Sequence, residues 1–153
     1  MVSIIGYTHE FAADFKKLNL EWLDQYGLTE ARDLEVLNDP MGTILDHGGA
    51  IYLARAGKEI VGTAALMKES EGEFELVKMS VTKAWQGKGI SKLLIEACLE
   101  KARELGAKKI ILFSSSLLPA ALSLYAKYGF KHVPLTNNPF ATADVKMELR
   151  IYE

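Results

Sequence analysis

The stretch "FELVKMSVTKAWQGKGISKLLIEACLEKARELG", residues 74–106, changes its repeat in the middle. Its first eight residues are largely apolar and alternate, as a strand does. From Ile90 onward the apolar residues Ile90, Leu93, Leu94, Ala97, Cys98, Ala102 and Leu105 recur at helical spacing, and Gly106 is placed to end that helix. The apolar run "KKIILFS", residues 108–114, follows and reads as a second strand. Strand, helix and strand make a βαβ unit, whose crossover is right-handed and whose two strands are parallel.

Working outward, "HGGAIYLARAGKEIVGTAALMKESEGEFELVKMSVT" reads as three strands in an antiparallel meander, with turns at "AGKE" and "ESEGE". "VSIIGY" is a short first strand. Phe11, Phe15, Leu18 and Trp22 define a helix over roughly residues 8–25. A second helix is expected from an N-cap at Thr29 to a stop at Pro40. "LLPAALSLYAKYG" is a further helix, with Pro119 in its first turn and Gly129 at its end. "FKHVPL" and "DVKMELRIY" close the chain as strands. The expected class is α+β: a mixed, mostly antiparallel central sheet with helices on both faces, in one domain spanning residues 1–153.

Composition bounds the function. A chain of 153 residues suits one core, and a net charge of -2 supplies no field for gripping nucleic acid. No apolar run reaches the length of a membrane span, and the N-terminus lacks the basic and apolar regions of an export signal. The single cysteine, Cys98, allows no internal disulfide. A cytoplasmic protein is expected. His9, His47 and His132 have no ligand-like spacing, so no metal is assigned. Cys98 lies on a helix stripe and reads as packing.

"QGKGIS", residues 86–91, places two glycines and no acidic residue where a strand hands over to a helix. A helix N-terminus exposes unpaired N–H groups at the positive end of its dipole. Glycine at 87 and 89 lets a phosphate approach that backbone, and Lys88 and Lys92 add positive charge. From the glycines alone a plain tight turn is an equal reading. The spacing lacks the Lys-Ser/Thr of a Walker A loop and the third glycine of a dinucleotide-binding fingerprint. A coenzyme A diphosphate loop is the third option.

"QGKGIS" resembles the Q/R-x-x-G-x-G/A signature of the GNAT superfamily of N-acetyltransferases, and "ALSLYAKYGF" its A-x-x-L-Y-x-x-x-G-F segment, in matching order and spacing. "ELVKMSV" fits the strand before the loop. "LNLEWL" and "DVKMEL" are similar to a subgroup found alone or fused to MarR-type DNA-binding domains. The resemblance covers nearly the whole chain. It departs at Ser91, where the signature has Gly or Ala.

The resemblance implies a fold with a splayed parallel strand pair. It also implies acetyl-CoA as cosubstrate, with the pantetheine arm paired to the exposed strand. Carried onto this chain, Met79, Ser80 and Val81 supply that backbone, and an N–H near Met79 polarises the thioester. Gln86, Gly87, Lys88, Gly89, Ile90, Ser91 and Lys92 belong to the diphosphate loop. Tyr125 matches the tyrosine that protonates the departing thiolate. Periodicity also puts Tyr125 on a core stripe with Leu118, Ala121 and Leu122; Tyr128 lies one position off it.

Members acting on protein termini carry a glutamate on the strand after the long helix, where this chain has Phe113. Glu75 is the alternative base. Strand alternation puts it on one face with Val77, Met79 and Val81, where its pKa would be raised; an ordinary strand glutamate is an equal reading. Glu73, nearer the turn, reads as surface. Among Ser114, Ser115 and Ser116, capping outweighs any nucleophilic role, since no His–Asp pair accompanies them. Relatives place an asparagine near Leu118 against the cofactor; Ser116 is the expected substitute. The resulting expectation is acetyl transfer to a primary amine of a small molecule or protein. A homodimer is a common assembly of such proteins. A non-catalytic acyl-CoA-binding regulatory module is the alternative.

Overall fold

The computed structural model describes residues 1–151. In chain order the elements are β1 (Val2–Gly6), α1 (Ala12–Gln25), α2 (Ala31–Asn38), α3 (Pro40–Thr43), β2 (Ala50–Ala56), β3 (Glu59–Ser70), β4 (Glu73–Val81), α4 (Ile90–Glu104), β5 (Lys109–Ser114), α5 (Pro119–Lys127), β6 (Lys131–Val133) and β7 (Val145–Arg150). They form a seven-stranded sheet in the order β1-β2-β3-β4-β5-β7-β6. Every neighbouring pair is antiparallel except β4 and β5. The expected mixed sheet and parallel pair are present. Tyr152, the expected end of the last strand, lies outside the described residues.

Successive strand residues point to opposite faces, and each face is covered. Leu53, Ile51 and Ala65 pack with Phe15 and Leu18 of α1 and Val36 and Leu37 of α2. Ala54, Ala64 and Leu66 pack with Ile90, Leu94 and Cys98 of α4 on the other side. Gly62 lets α4 lie close to the sheet. A Cβ there would sit 3.0 Å from Leu94 Cδ1 and 3.2 Å from the Ser80 carbonyl.

Several boundaries differ from expectation for local reasons. A 3-10 turn, His9–Phe11, precedes α1, so the α-helix starts at Ala12. Glu30, not Thr29, caps α2, because Thr29 spends its hydroxyl on Asp24. Pro40 opens α3 at its N1 position, where a missing N–H costs nothing, as well as following α2. On α4 the buried stripe is Ile90, Leu94, Cys98 and Ala102, widened by Ile95 and Leu99. Leu93 and Leu105 are instead 42% and 40% exposed. Leu93 precedes Leu94 by one residue, about 100° around the axis, on the side away from Ile95. The helix ends as expected: Gly106 has φ 76°, and Ala107 N–H donates to the Ala102 carbonyl at 2.9 Å.

The feature that positions the site is a bulge in β4. Thr63 opposes Ser80 and Ala65 opposes Val77, so Lys78 and Met79 together oppose Ala64. Lys78 takes a left-handed conformation, φ 54°. One extra residue reverses the alternation beyond it. Val77 packs on the α1–α2 side, whereas Met79 and Val81 pack on the α4 side. The expected common face for Glu75, Val77, Met79 and Val81 is therefore split at Lys78.

Candidate active site

The parallel ladder between β4 and β5 is short. Glu73, Phe74 and Glu75 pair with Lys109, Ile110 and Ile111. Beyond Glu75 the bulge bends β4, and β5 pairs onward only with β7, through Ser114. The edge of β4 from Leu76 to Val81 thus faces a gap instead of a strand. Two cavities fill that gap.

The larger, about 550 Å3, runs along Met79, Ser80 and Val81, past the loop after β4 and the first turn of α4, to Leu117–Ala121 and Tyr125. Gln86, Gly87, Gly89, Ile90, Ser91 and Lys92 line it. Gly87 and Gly89 have φ 78° and 81°, and a Cβ at either would meet nothing within 4 Å. Their requirement is conformational, and the space beside them is open to a ligand. Gly89 is the N-cap of α4, and no acidic residue lies in the first turn. The free N–H groups of that turn therefore face the cleft without a competing anion. Gln86 spends its side chain on structure: Nε2 donates to the Val81 carbonyl at 3.0 Å, tying the loop to the end of β4. These residues fit a diphosphate.

Two expected cofactor contacts stand off this cleft. Lys88 leans over the Trp85 ring, with Nζ 6.0 Å from its centroid. Ser116 is committed to Asp144: its N–H and hydroxyl donate to the carboxylate at 2.8 and 2.6 Å.

The smaller cavity, about 120 Å3, lies on the α1–α2 side of the sheet. Its wall includes Glu75, Lys78, Asp33, Asn19, Phe113 and Phe140. Glu75 is 2% exposed and sits on the last rung of the parallel ladder. Burial, reinforced by the charge and hydrogen bond of Glu69, lifts its carboxyl to about 8; Arg32 and Lys78 act in the opposite direction. Glu73, by contrast, pairs with Lys109 at 3.4 Å and is half-buried.

Lys78 reaches Asp33 in an ion pair whose side chains are 7% and 5% exposed. Asp33 also accepts the Glu30 N–H at 2.9 Å. Glu30 in turn accepts from Ala141 N–H at 3.1 Å, Thr142 N–H at 2.9 Å and Thr142 Oγ1 at 2.5 Å. Burial pushes the Glu30 carboxyl upward, but these donors and Lys78 outweigh it and hold it below the ordinary value. Through this clasp the loop before β7 brings Phe140, Thr142 and Ala143 to the cavity.

Trp22, Met79, Leu118 and Tyr125 line both cavities. The two spaces meet there. Tyr125 packs edge-on against Phe130, with ring centroids 5.9 Å apart. Burial, with a smaller contribution from Cys98, pushes its hydroxyl up to about 12. Tyr128 is spent elsewhere, donating to Glu96 Oε2 at 2.6 Å.

Sequence reasoning missed Asp33, Lys78, Asn19 and Glu30, which reach the site only through the tertiary fold. It used Trp22 only as part of the helical repeat that defines α1, and Trp22 packs in neither core cluster.

A splayed strand pair, a glycine-led helix N-terminus and a tyrosine at the meeting of two cavities define an acyl-CoA-dependent transferase. Residues 12–130 match the acetyltransferase (GNAT) family. The chain is 36% identical over 121 residues to the uncharacterized N-acetyltransferase YvbK of Bacillus subtilis, covering 77% of each protein. It is 31% identical over 116 residues to the uncharacterized N-acetyltransferase YjgM of Escherichia coli, covering 71% of this chain and 70% of that protein. The fold superposes on a GNAT-family acetyltransferase of Staphylococcus aureus with a TM-score of 0.89, at 20% identity, over 98% of this chain and 99% of that one. It superposes on the PaiA N-acetyltransferase of Thermoplasma acidophilum, solved with coenzyme A, with a TM-score of 0.78 at 16% identity over 99% of each chain. The chain belongs to the acetyltransferase (GNAT) family and is an acetyl-CoA-dependent N-acetyltransferase. A purely regulatory reading is not favoured.

Proposed function

We propose that the larger cavity holds acetyl-CoA and the smaller one the acceptor amine, and that acetyl transfer is direct. The observation carrying this reading is that Tyr125 and Met79 line both spaces. The thioester would have to lie where they meet. The first-turn N–H groups of α4, with Gly87, Gly89, Ser91 and Lys92 around them, receive the diphosphate. The unpaired edge from Met79 to Val81 receives the pantetheine arm. Lys88 acts at longer range, and Ser116 supports the site through Asp144.

The acceptor enters as an ammonium. Glu75, as carboxylate, takes one proton from it, directly or through water, and frees the lone pair. Nitrogen attacks the thioester carbon, and the N–H near Met79 stabilises the developing oxyanion. The C–S bond then breaks. Tyr125 gives its proton to the sulfur and is reprotonated by the second proton of the acetylated nitrogen, directly or through water, while Glu75 passes the first to solvent. With its hydroxyl pushed up to about 12 by burial, Tyr125 stays protonated until the thiolate forms beside it.

Residues 1–153 make one cytoplasmic acetyltransferase domain that can homodimerise. No helix among the described residues is long and apolar enough to cross a membrane. The narrower likeness to domains fused to MarR-type regulators stays with "LNLEWL" and "DVKMEL".

The test is Tyr125→Phe, assayed by thiol release on pooled amines and by calorimetric titration with acetyl-CoA. Turnover is expected to fall about 100-fold while acetyl-CoA affinity holds within about threefold. Unchanged turnover overturns the role of Tyr125.

A further inference from the structure

The acceptor pocket has a charge pattern that narrows its substrate. This inference rests on the assignment of the smaller cavity to the amine. Asp33 and Glu75 are the acidic side chains that line the cavity, while Glu69 and Arg32 act on Glu75 from outside the lining. The acids other than Glu75 that line or clasp the cavity are engaged. Asp33 accepts from Lys78 on one oxygen and from the Glu30 N–H on the other. Glu30 holds Ala141 and Thr142. Asp144 holds Ser116. Asn19 spends its amide N–H groups on the Phe15 carbonyl at 2.9 Å and on Thr63 Oγ1 at 3.1 Å.

The charges lining the wall therefore leave one carboxylate over. Lys78 balances Asp33 inside the cavity, and only the Glu75 carboxylate is left to match one ammonium. A second ammonium on the acceptor would lose water without gaining a counter-charge. A carboxylate on the acceptor would meet Asp33 and the ionised Glu75 in the same small space. The remaining wall combines Trp22, Leu23, Leu28, Leu112, Phe113 and Phe140 with the uncharged Ser114, Ser115 and Thr142, of which Ser115 accepts the Leu117 N–H and Thr142 donates to Glu30. The cavity is small, about 120 Å3 against about 550 Å3 for the larger one.

We propose that the acceptor is a small monoamine with an uncharged, apolar body, and that polyamines and amino acids are rejected by the spent carboxylates of the pocket. The site reads one positive charge through Glu75 and the rest of the molecule through aromatic and aliphatic contact.

The test compares four amines of similar length with the intact protein at pH 8.5 and saturating acetyl-CoA: hexylamine, 2-phenylethylamine, 1,6-diaminohexane and 6-aminohexanoate. Thiol release gives kcat/KM for each. The two monoamines are expected to exceed the diamine and the amino acid by at least about tenfold. A diamine equal to hexylamine overturns the inference by revealing a free counter-charge. A preference for 6-aminohexanoate overturns it by making Lys78 a carboxylate site. Leu28→Glu supplies the missing second carboxylate, so the diamine should gain on hexylamine by at least about fivefold; no gain counts against the inference. If acetyl-CoA binds but none of the four amines releases thiol, the assignment of the cavity to an amine falls, and this inference with it.

Discussion

Thr63 donates from Oγ1 to the Lys78 carbonyl at 2.7 Å, and so holds the bulge of β4 from the neighbouring strand. The same hydroxyl lies 3.1 Å from Ser80 Oγ and accepts from Asn19. Thr63 is fully buried. Thr63→Val keeps the shape and removes every one of these bonds. Unfolding free energy is expected to drop by about 1–3 kcal/mol in urea titrations. kcat should fall as the backbone at Met79 loses its setting, and Thr63→Ser should restore most of both. A fully active Thr63→Val protein would show that the bulge holds itself.

As the proposed base, Glu75 should set the pH dependence. With its carboxyl at about 8, kcat/KM should climb from pH 6 and level off above pH 8, as the base becomes ionised. The same displacement acts on stability. The folded state holds this proton more tightly than the unfolded chain, so stability falls as pH rises from the ordinary carboxyl range to about 8 and is flat beyond. The slope between those limits approaches about 1.4 kcal/mol per pH unit. Glu75→Gln should abolish the rising limb of the rate profile and raise the melting temperature at pH 8.5. A variant melting below the wild type at that pH would count against the displaced carboxyl.

Gly89 caps α4 with φ 81°. Gly89→Ala forces an L-residue into the left-handed region, at about 1–2 kcal/mol. The open space beside it means that the strain is in the backbone rather than in a clash. Acetyl-CoA affinity by calorimetry is expected to weaken about tenfold, with kcat at saturation less affected. Lys88→Ala, by contrast, should change affinity by no more than about threefold, because Lys88 rests on Trp85 outside the cleft wall.

The Lys78–Asp33 pair predicts an asymmetry. Lys78→Met leaves a buried carboxylate without its counter-charge and should destabilise by about 3–5 kcal/mol. Lys78→Met with Asp33→Asn removes both charges and keeps an acceptor for the Glu30 N–H. The double variant should regain more than half of that loss in denaturant titrations. Equal destabilisation in the single and double variants would argue that the pair contributes packing alone.

What the sequence conveys and what it hides divide along range. The glycine turn, the long helix and Tyr125 are each carried by about a dozen contiguous residues, so their spacing is readable. The bulge is not: a lysine at a left-handed position leaves no mark on an apolar alternation, and the face of every residue beyond it is misjudged. Glu75 was reachable because it precedes Lys78. Met79 and Val81 were placed on the wrong side because they follow it. Asp33 carries no local sign of its role, since its partner is 45 positions away. Trp22 matched the helical period of Phe15 and Leu18, yet it turns toward the cavities.

The Glu30 clasp has a consequence for synthesis. Every residue lining the larger cavity has been made by Tyr125, but Glu30 must wait for Thr142, 112 positions after itself. Closing so long a span is entropically late. As the chain leaves the ribosome, recognition of the acceptor is the last property it can acquire.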